Sequence, residues 1–263
     1  MEWLILLAIV VIGVPAAAWL AQEKMIFYPQ PMTSTTQLPA RASPLEVVAA
    51  DGTHLHGWIV RGTVAPAPAV IYFGGNAEEV SWTIADARWP REWSIVGVNY
   101  RGYGASEGAP GQAALEADAL AIHDAVVRRE DVDPRRIVVF GRSLGTAIAV
   151  HLAAERPDAI AAAVLVSPYD SMTAIGKLHY PYLPVSLLLR HPFDAVPDAR
   201  RNRMPLLAIV GERDSIIPPS RSRALYDAWA GPKSWLAIPG ANHNDLGATE
   251  EYWQGIARFL AGR

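Results

Sequence analysis

Residues 137–150, IVVFGRSLGTAIAV, decide the fold. The apolar run 137–140 reads as a strand covered on both faces. The alanine-rich run 144–155 reads as a helix that stops before Pro157, since proline cannot continue one. Between them lies Gly141-Arg142-Ser143-Leu144-Gly145, of the form G-x-S-x-G. The pattern is short enough to arise by chance, so its context carries the weight. A serine with a strand directly before it and a helix directly after is held in a strained backbone and presented above the sheet. Glycines flank it because side chains there would collide with the adjoining strand and helix. The helix also aims the positive end of its dipole at an anion developing near Ser143. The plainer reading is an N-cap serine before an ordinary helix.

Outward from this turn, short apolar runs alternate with amphipathic stretches. That pattern predicts an α/β domain built on a mostly parallel, eight-stranded sheet with helices on both faces. Strands are expected at 45–50 and 55–61, joined by a hairpin at Asp51-Gly52. Further strands are expected at 69–73, 95–99, 137–140, 162–166, 205–210 and 235–238. Helices are expected at 76–89, 112–130, 144–155, 219–229 and 249–260. In 112–130, Leu115, Ala119, Ile122 and Val126 share one face. The proline-rich stretch 168–198 has room for two short helices over the sheet edge and is too short for a separate cap domain.

A serine hydroxyl needs a base to become a nucleophile. Seven histidines are present. His54, His56, His123, His151, His179 and His191 fall in expected strands, helix bodies or the irregular stretch. His243 instead sits in the polar loop Pro239-Gly240-Ala241-Asn242-His243-Asn244-Asp245, after the last strand, where it can reach across the strand ends. The base in turn needs a carboxylate to fix its tautomer and stabilise imidazolium. Asp214 follows the strand 205–210 and gives the chain order Ser, Asp, His. Glu212 and Asp245 compete for the role. A tetrahedral intermediate needs backbone N–H donors. Leu144, after the nucleophile, supplies one. Asn76 supplies the other, from the loop Phe73-Gly74-Gly75-Asn76-Ala77, with Gly75 shaping the turn. The alternative is a plain Gly-Gly turn before a helix. Gly102-Tyr103-Gly104 lacks dinucleotide spacing, and no histidine pair or carboxylate cluster has metal-ligand spacing. Neither a cofactor nor a metal is expected.

These residues, with Glu23-Lys24-Met25-Ile26-Phe27-Tyr28-Pro29, Asn99-Tyr100-Arg101-Gly102-Tyr103-Gly104 and Ser167-Pro168-Tyr169-Asp170-Ser171, resemble the α/β-hydrolase superfamily from about Lys24 to the end. The chain is most similar to small membrane-anchored bacterial serine hydrolases, serine-aminopeptidase-like and related to depalmitoylating thioesterases. Relatives often carry His-Gly-Asn where this chain has Gly74-Gly75-Asn76, which removes a structural imidazole. The resemblance implies acyl transfer from an ester or thioester to water through an acyl-serine. A peptidase of the same fold and a catalytically silent, membrane-tethered binding protein are the alternatives. Met172, Leu178, Tyr180, Tyr182 and Leu183, with the nearby leucines 187–189, are either walls of an acyl pocket or ordinary core.

The bulk numbers agree with one large domain. The chain has 263 residues, and 51% of them are apolar, enough for a sizeable core. A net charge of −3 without a basic block argues against a nucleic-acid partner. The absence of cysteine excludes disulfides and a thiol nucleophile. Residues 3–21, WLILLAIVVIGVPAAAWLA, carry no charge. As a helix they would reach about 28 Å, close to the ~30 Å hydrocarbon core, with Trp3 and Trp19 at the interfaces. The expected organisation is a transmembrane anchor at 1–22, a lead-in at 23–44 and a catalytic domain at 45–263. A single-pass protein of a bacterial inner membrane follows. A cleaved signal peptide and a soluble helix are the other readings.

Overall fold

The computed structural model describes residues 2–3, 9–32 and 37–263. Its centre is an eight-stranded sheet of β1 (Ala42–Val48), β2 (His54–Val60), β3 (Ala67–Phe73), β4 (Ser94–Val98), β5 (Val132–Arg142), β6 (Ile160–Val166), β7 (Leu206–Gly211) and β8 (Lys233–Ile238). The spatial order is β1-β2-β4-β3-β5-β6-β7-β8. β2 runs antiparallel to both neighbours, and the pairs from β4 through β8 are all parallel. The chain leaves β3 for β4 on one side and returns to β5 on the other. Such a reversal opens a crevice beyond the carboxyl ends of the strands.

The helices are α1 (Val14–Ile26), α2 (Ser81–Ile84), α3 (Gln112–Val127), α4 (Leu144–Glu155), α5 (Met172–His179), α6 (Val185–Leu188), α7 (Val196–Ala199), α8 (Pro219–Ala228) and α9 (Glu250–Ala261). Every residue of β3 is buried, as its unbroken apolar sequence requires of a strand covered on both faces. Ala69, Ile71 and Phe73 share a core with Leu115, Ala119, Ile122 and Val126 of α3 and with Ile148 and Leu152 of α4. Val70 and Tyr72 point the other way, into a core with Phe140, Trp89 and α9 residues Trp253, Ile256 and Leu260. There the rings of Phe140 and Trp253 each meet Trp89 edge-on at 5.4 Å.

Two sequence expectations meet a different outcome here. The helix expected at 76–89 shrinks to the single turn α2. Its backbone is claimed by side chains: the Val80 N–H donates to Asn99 Oδ1 and the Ser81 N–H to Glu79 Oε1. Such bonds compete with the helical ladder. The expected span at 3–21 includes residues 4–8, which lie outside the described residues. Among the described residues, no helix is long and apolar enough to cross a membrane. α1 runs unbroken through residue 22, where the expected anchor ends.

Candidate active site

Ser143 sits between β5 and α4 with φ 51° and ψ −118°, a backbone that L-residues rarely adopt. Close approach explains the two glycines. A Cβ on Gly141 would lie 2.5 Å from the Gly145 carbonyl oxygen, and one on Gly145 would lie 2.2 Å from that of Phe73. The Ser143 N–H is held by the Val166 carbonyl at 2.9 Å. The hydroxyl therefore stands at the crevice, at the N-terminus of α4.

The three residues expected to act together do meet. Ser143 Oγ is 2.9 Å from His243 Nε2, and His243 Nδ1 is 2.8 Å from Asp214 Oδ2. All three side chains are buried. Asp214 Oδ1 accepts the N–H groups of Ile216 and Ile217 at 3.0 and 2.8 Å. The Ser167 hydroxyl donates to Oδ2 at 2.8 Å. Burial would raise the Asp214 pKa, but the hydrogen bond and charge of His243, the Ile217 N–H and Ser167 outweigh it. The carboxyl is held below its ordinary value and stays ionised. Of the competitors, Glu212 is exposed. Asp245 accepts the Asn242 N–H at 2.6 Å, within its own loop. Ser167, also at positive φ, opens the stretch Ser167–Ser171 that carries part of the resemblance, and its bond to Asp214 is visible only in the structure.

Leu144, Gly75 and Asn76 line the same cleft as Ser143 and His243. The Leu144 N–H opens α4, where an N–H has no partner within the helix. The Gly75 N–H is taken by Glu78 Oε2 at 2.8 Å. That leaves the backbone N–H of Asn76 for a ligand. Around it the loop is pinned. Asn76 Nδ2 donates to the Ile26 carbonyl at 3.1 Å, and the Asn76 carbonyl accepts from Tyr28 N–H and Tyr103 OH at 3.0 and 2.6 Å.

Glu78 and Arg142 are the residues the sequence reading missed. Glu78 Oε1 accepts Tyr72 OH at 2.7 Å and the Thr83 hydroxyl; Oε2 accepts Gly75 N–H and, at 3.3 Å, Arg142 Nη1. Arg142 Nη2 reaches on to Asn244 Oδ1 at 3.1 Å, beside His243. One ion pair thus ties the Gly75-Asn76 loop to the histidine loop. The carboxylate of Glu78 also fills the space beside Gly74 that a side chain there would enter. The only signal in the sequence was Gly74 itself, standing where relatives carry an imidazole.

The cleft has a volume of about 490 Å³. Met172, Tyr180 and Leu183 line it, as expected of pocket residues. Leu178 and Tyr182 do not: they are 51% and 96% exposed. On α5 the inward residues are Met172, Ile175, Gly176 and His179. Leu178 falls about 240° around the helix from Met172, and Tyr182 projects from the turn that follows. Of the three leucines at 187–189, the last two line the cleft and Leu187 is exposed. Ile216, Ile217 and five residues between Ala18 and Tyr28 complete the wall, none of them anticipated from the sequence.

Comparison with known proteins agrees with this fold. The family described as alpha/beta hydrolase fold matches residues 68–195, which hold the Ser143 turn and Gly75-Asn76. An uncharacterized protein of Mycobacterium tuberculosis (strain H37Rv) is 37% identical over 91% of this chain and 86% of its own length. This chain belongs to the α/β-hydrolase superfamily. Within the superfamily, the Alpha/beta hydrolase domain-containing protein WAV2 of Arabidopsis thaliana is 28% identical over 91% of this chain and 87% of its own. The esterase Pf2001 of Pyrococcus furiosus shares the fold, with a TM-score of 0.70, 17% identity, and coverage of 90% of this chain and 97% of that one. Superfamily membership supports a hydrolase.

Proposed function

We propose that this chain is a serine hydrolase that cleaves carboxylic esters or thioesters through an acyl-serine, and that its apolar N-terminal run tethers it to a membrane. One observation carries the catalytic reading: the unbroken relay from Ser143 Oγ through His243 to Asp214, at 2.9 and 2.8 Å, at the floor of an apolar cleft. His243 Nε2 takes the proton as Ser143 Oγ attacks the acyl carbon. The N–H groups of Leu144 and Asn76 receive the oxyanion, in a site whose donors are already oriented. Collapse expels the alcohol or thiol, which His243 protonates, and a water then repeats the sequence in reverse. Among the described residues lining the cleft none is a carboxylate that would pair with the α-ammonium of an aminopeptidase substrate, and the lining is mostly apolar. That favours an ester with an apolar acyl chain over an aminopeptidase substrate. The tether is supported by the uncharged run 3–21 and by the exposure of Val11, Ile12 and Leu20.

A fluorophosphonate probe tests the chemistry. The wild-type chain labels and hydrolyses p-nitrophenyl butyrate; Ser143→Ala does neither and keeps the wild-type circular dichroism spectrum. Labelling that persists in Ser143→Ala places the nucleophile elsewhere. Carbonate extraction of membranes tests the tether: retention in the pellet supports it, and quantitative release refutes it.

A further inference from the structure

Four residues of α1 line the cleft: Ala18, Gln22, Met25 and Ile26. Their spacing puts them on one face of the helix. The docking is specific. Gln22 is buried, its amide nitrogen donating to the carbonyls of Trp19 and Leu188 at 2.9 and 3.0 Å and its oxygen accepting the Arg190 N–H at 2.7 Å. Arg190 also pairs with Glu23 at 3.1 Å and covers the Trp19 ring at 4.8 Å. One turn on, Phe27 packs edge-on against His191 and Phe193.

Two consequences follow for a ligand. First, the polar atoms of Gln22 are consumed by these bonds, so it offers the cleft only its stem. Ile175, Leu183, Val185 and Leu189, which also line the cleft, are apolar too. Second, the lining has a direction. The Ile26 carbonyl is bonded to Asn76, in the loop expected to receive the oxyanion. Ala18 lies eight residues back along the helix, about 12 Å at the helical rise.

We propose that α1 is a wall of the substrate site: an unbranched apolar chain of the substrate lies along it from Asn76 toward Ala18, and Ala18 sets the length accepted. This rests on the serine-hydrolase reading. Ala18 is a small residue in the lining, so bulk added there enters the cleft. The ligand class is therefore an ester or thioester with a linear hydrocarbon chain, and α1 belongs to the catalytic unit.

The test uses the full-length chain in detergent with p-nitrophenyl acetate, butyrate, octanoate and dodecanoate. The readout is the ratio of kcat/KM for dodecanoate to that for butyrate. Ala18→Trp lowers this ratio at least tenfold, the scale on which apolar pockets discriminate chain length. Ala18→Leu, a smaller obstruction, falls between. Leu20→Trp places the same indole on the exposed side of α1 and leaves the ratio within twofold. If Ala18→Trp changes all four esters by one factor, or Leu20→Trp shifts the ratio equally, the proposal is overturned while the serine-hydrolase reading stands. A wild-type chain that neither labels with fluorophosphonate nor hydrolyses butyrate overturns both.

Discussion

Replacing Glu78 tests whether the Gly75-Asn76 loop is held in place for catalysis. Four donors converge on its carboxylate: the Tyr72, Thr83, Gly75 and Arg142 groups. Glu78→Ala removes every acceptor at once. The buried Gly75 N–H then has no partner, at a cost of roughly 1–3 kcal/mol. Arg142 is 27% exposed, so water takes over part of its loss. For a chain of this size that corresponds to a fall in Tm of about 2–12 °C. The catalytic effect comes through Asn76. Losing an oxyanion donor outright costs about 10²–10³ in kcat, and a loosened donor costs less, so kcat is expected to fall about ten- to a hundredfold at nearly constant KM. Glu78→Gln should rescue most of this. Its carboxamide oxygen can face Gly75 and Arg142 while its NH2 faces two hydroxyls, which accept as well as donate. The assay is steady-state hydrolysis of p-nitrophenyl butyrate, with fluorophosphonate inactivation rates and thermal unfolding alongside. A kcat for Glu78→Ala within twofold of wild type, despite the lowered Tm, would refute a positioning role. Equal losses in the Ala and Gln variants would mean that charge, not the hydrogen-bonded geometry, is what Glu78 supplies.

Asp214→Asn should lower kcat about 10⁴-fold, about 5.4 kcal/mol at 1.36 per decade. An amide facing His243 Nδ1 favours the tautomer with Nε2 protonated, which cannot take the Ser143 proton; exposed Glu212→Gln should change kcat little, and the reverse ranking would move the acid to Glu212. His151 is a pH-dependent stabiliser: its 3.0 Å hydrogen bond to Asp198 raises its pKa, against the effect of burial. A raised folded-state pKa contributes stability in full below the unfolded value of about 6.5 and loses it as pH climbs through the folded one. His151→Gln should therefore lower Tm more at pH 5.5 than at pH 8.5, and calorimetric shifts of the same size at both pH values would contradict this.

Several features were determined by local sequence because local physics requires them. Gly141, Ser143 and Gly145 read as a tight strand-to-helix turn, and the 2.2–2.5 Å at which a Cβ on either glycine would meet a backbone carbonyl oxygen shows why no other residue fits. The continuous apolar strand 69–73 and the single helical face of Leu115, Ala119, Ile122 and Val126 were legible because periodicity reports burial directly. His243 and Asp214 followed from chain order, since loops at the carboxyl ends of parallel strands converge on one side of the sheet. Tertiary structure decided the rest. Residues 76–89 have helical composition, yet Asn99 and Glu79 take their backbone hydrogen bonds, one of them from 19 residues away. Leu178 and Tyr182 are as apolar as Met172 and Leu183, and only the azimuth of α5 and the turn after it separates exposed from lining. Glu78 and Arg142 lie 64 residues apart and become a pair only because β3 and β5 are neighbours. Residues 14–26 read as one half of an uncharged span followed by a lead-in. Their place against the cleft depends on Gln22 meeting the backbone of Leu188 and Arg190, a contact across more than 160 residues that no periodicity or spacing encodes.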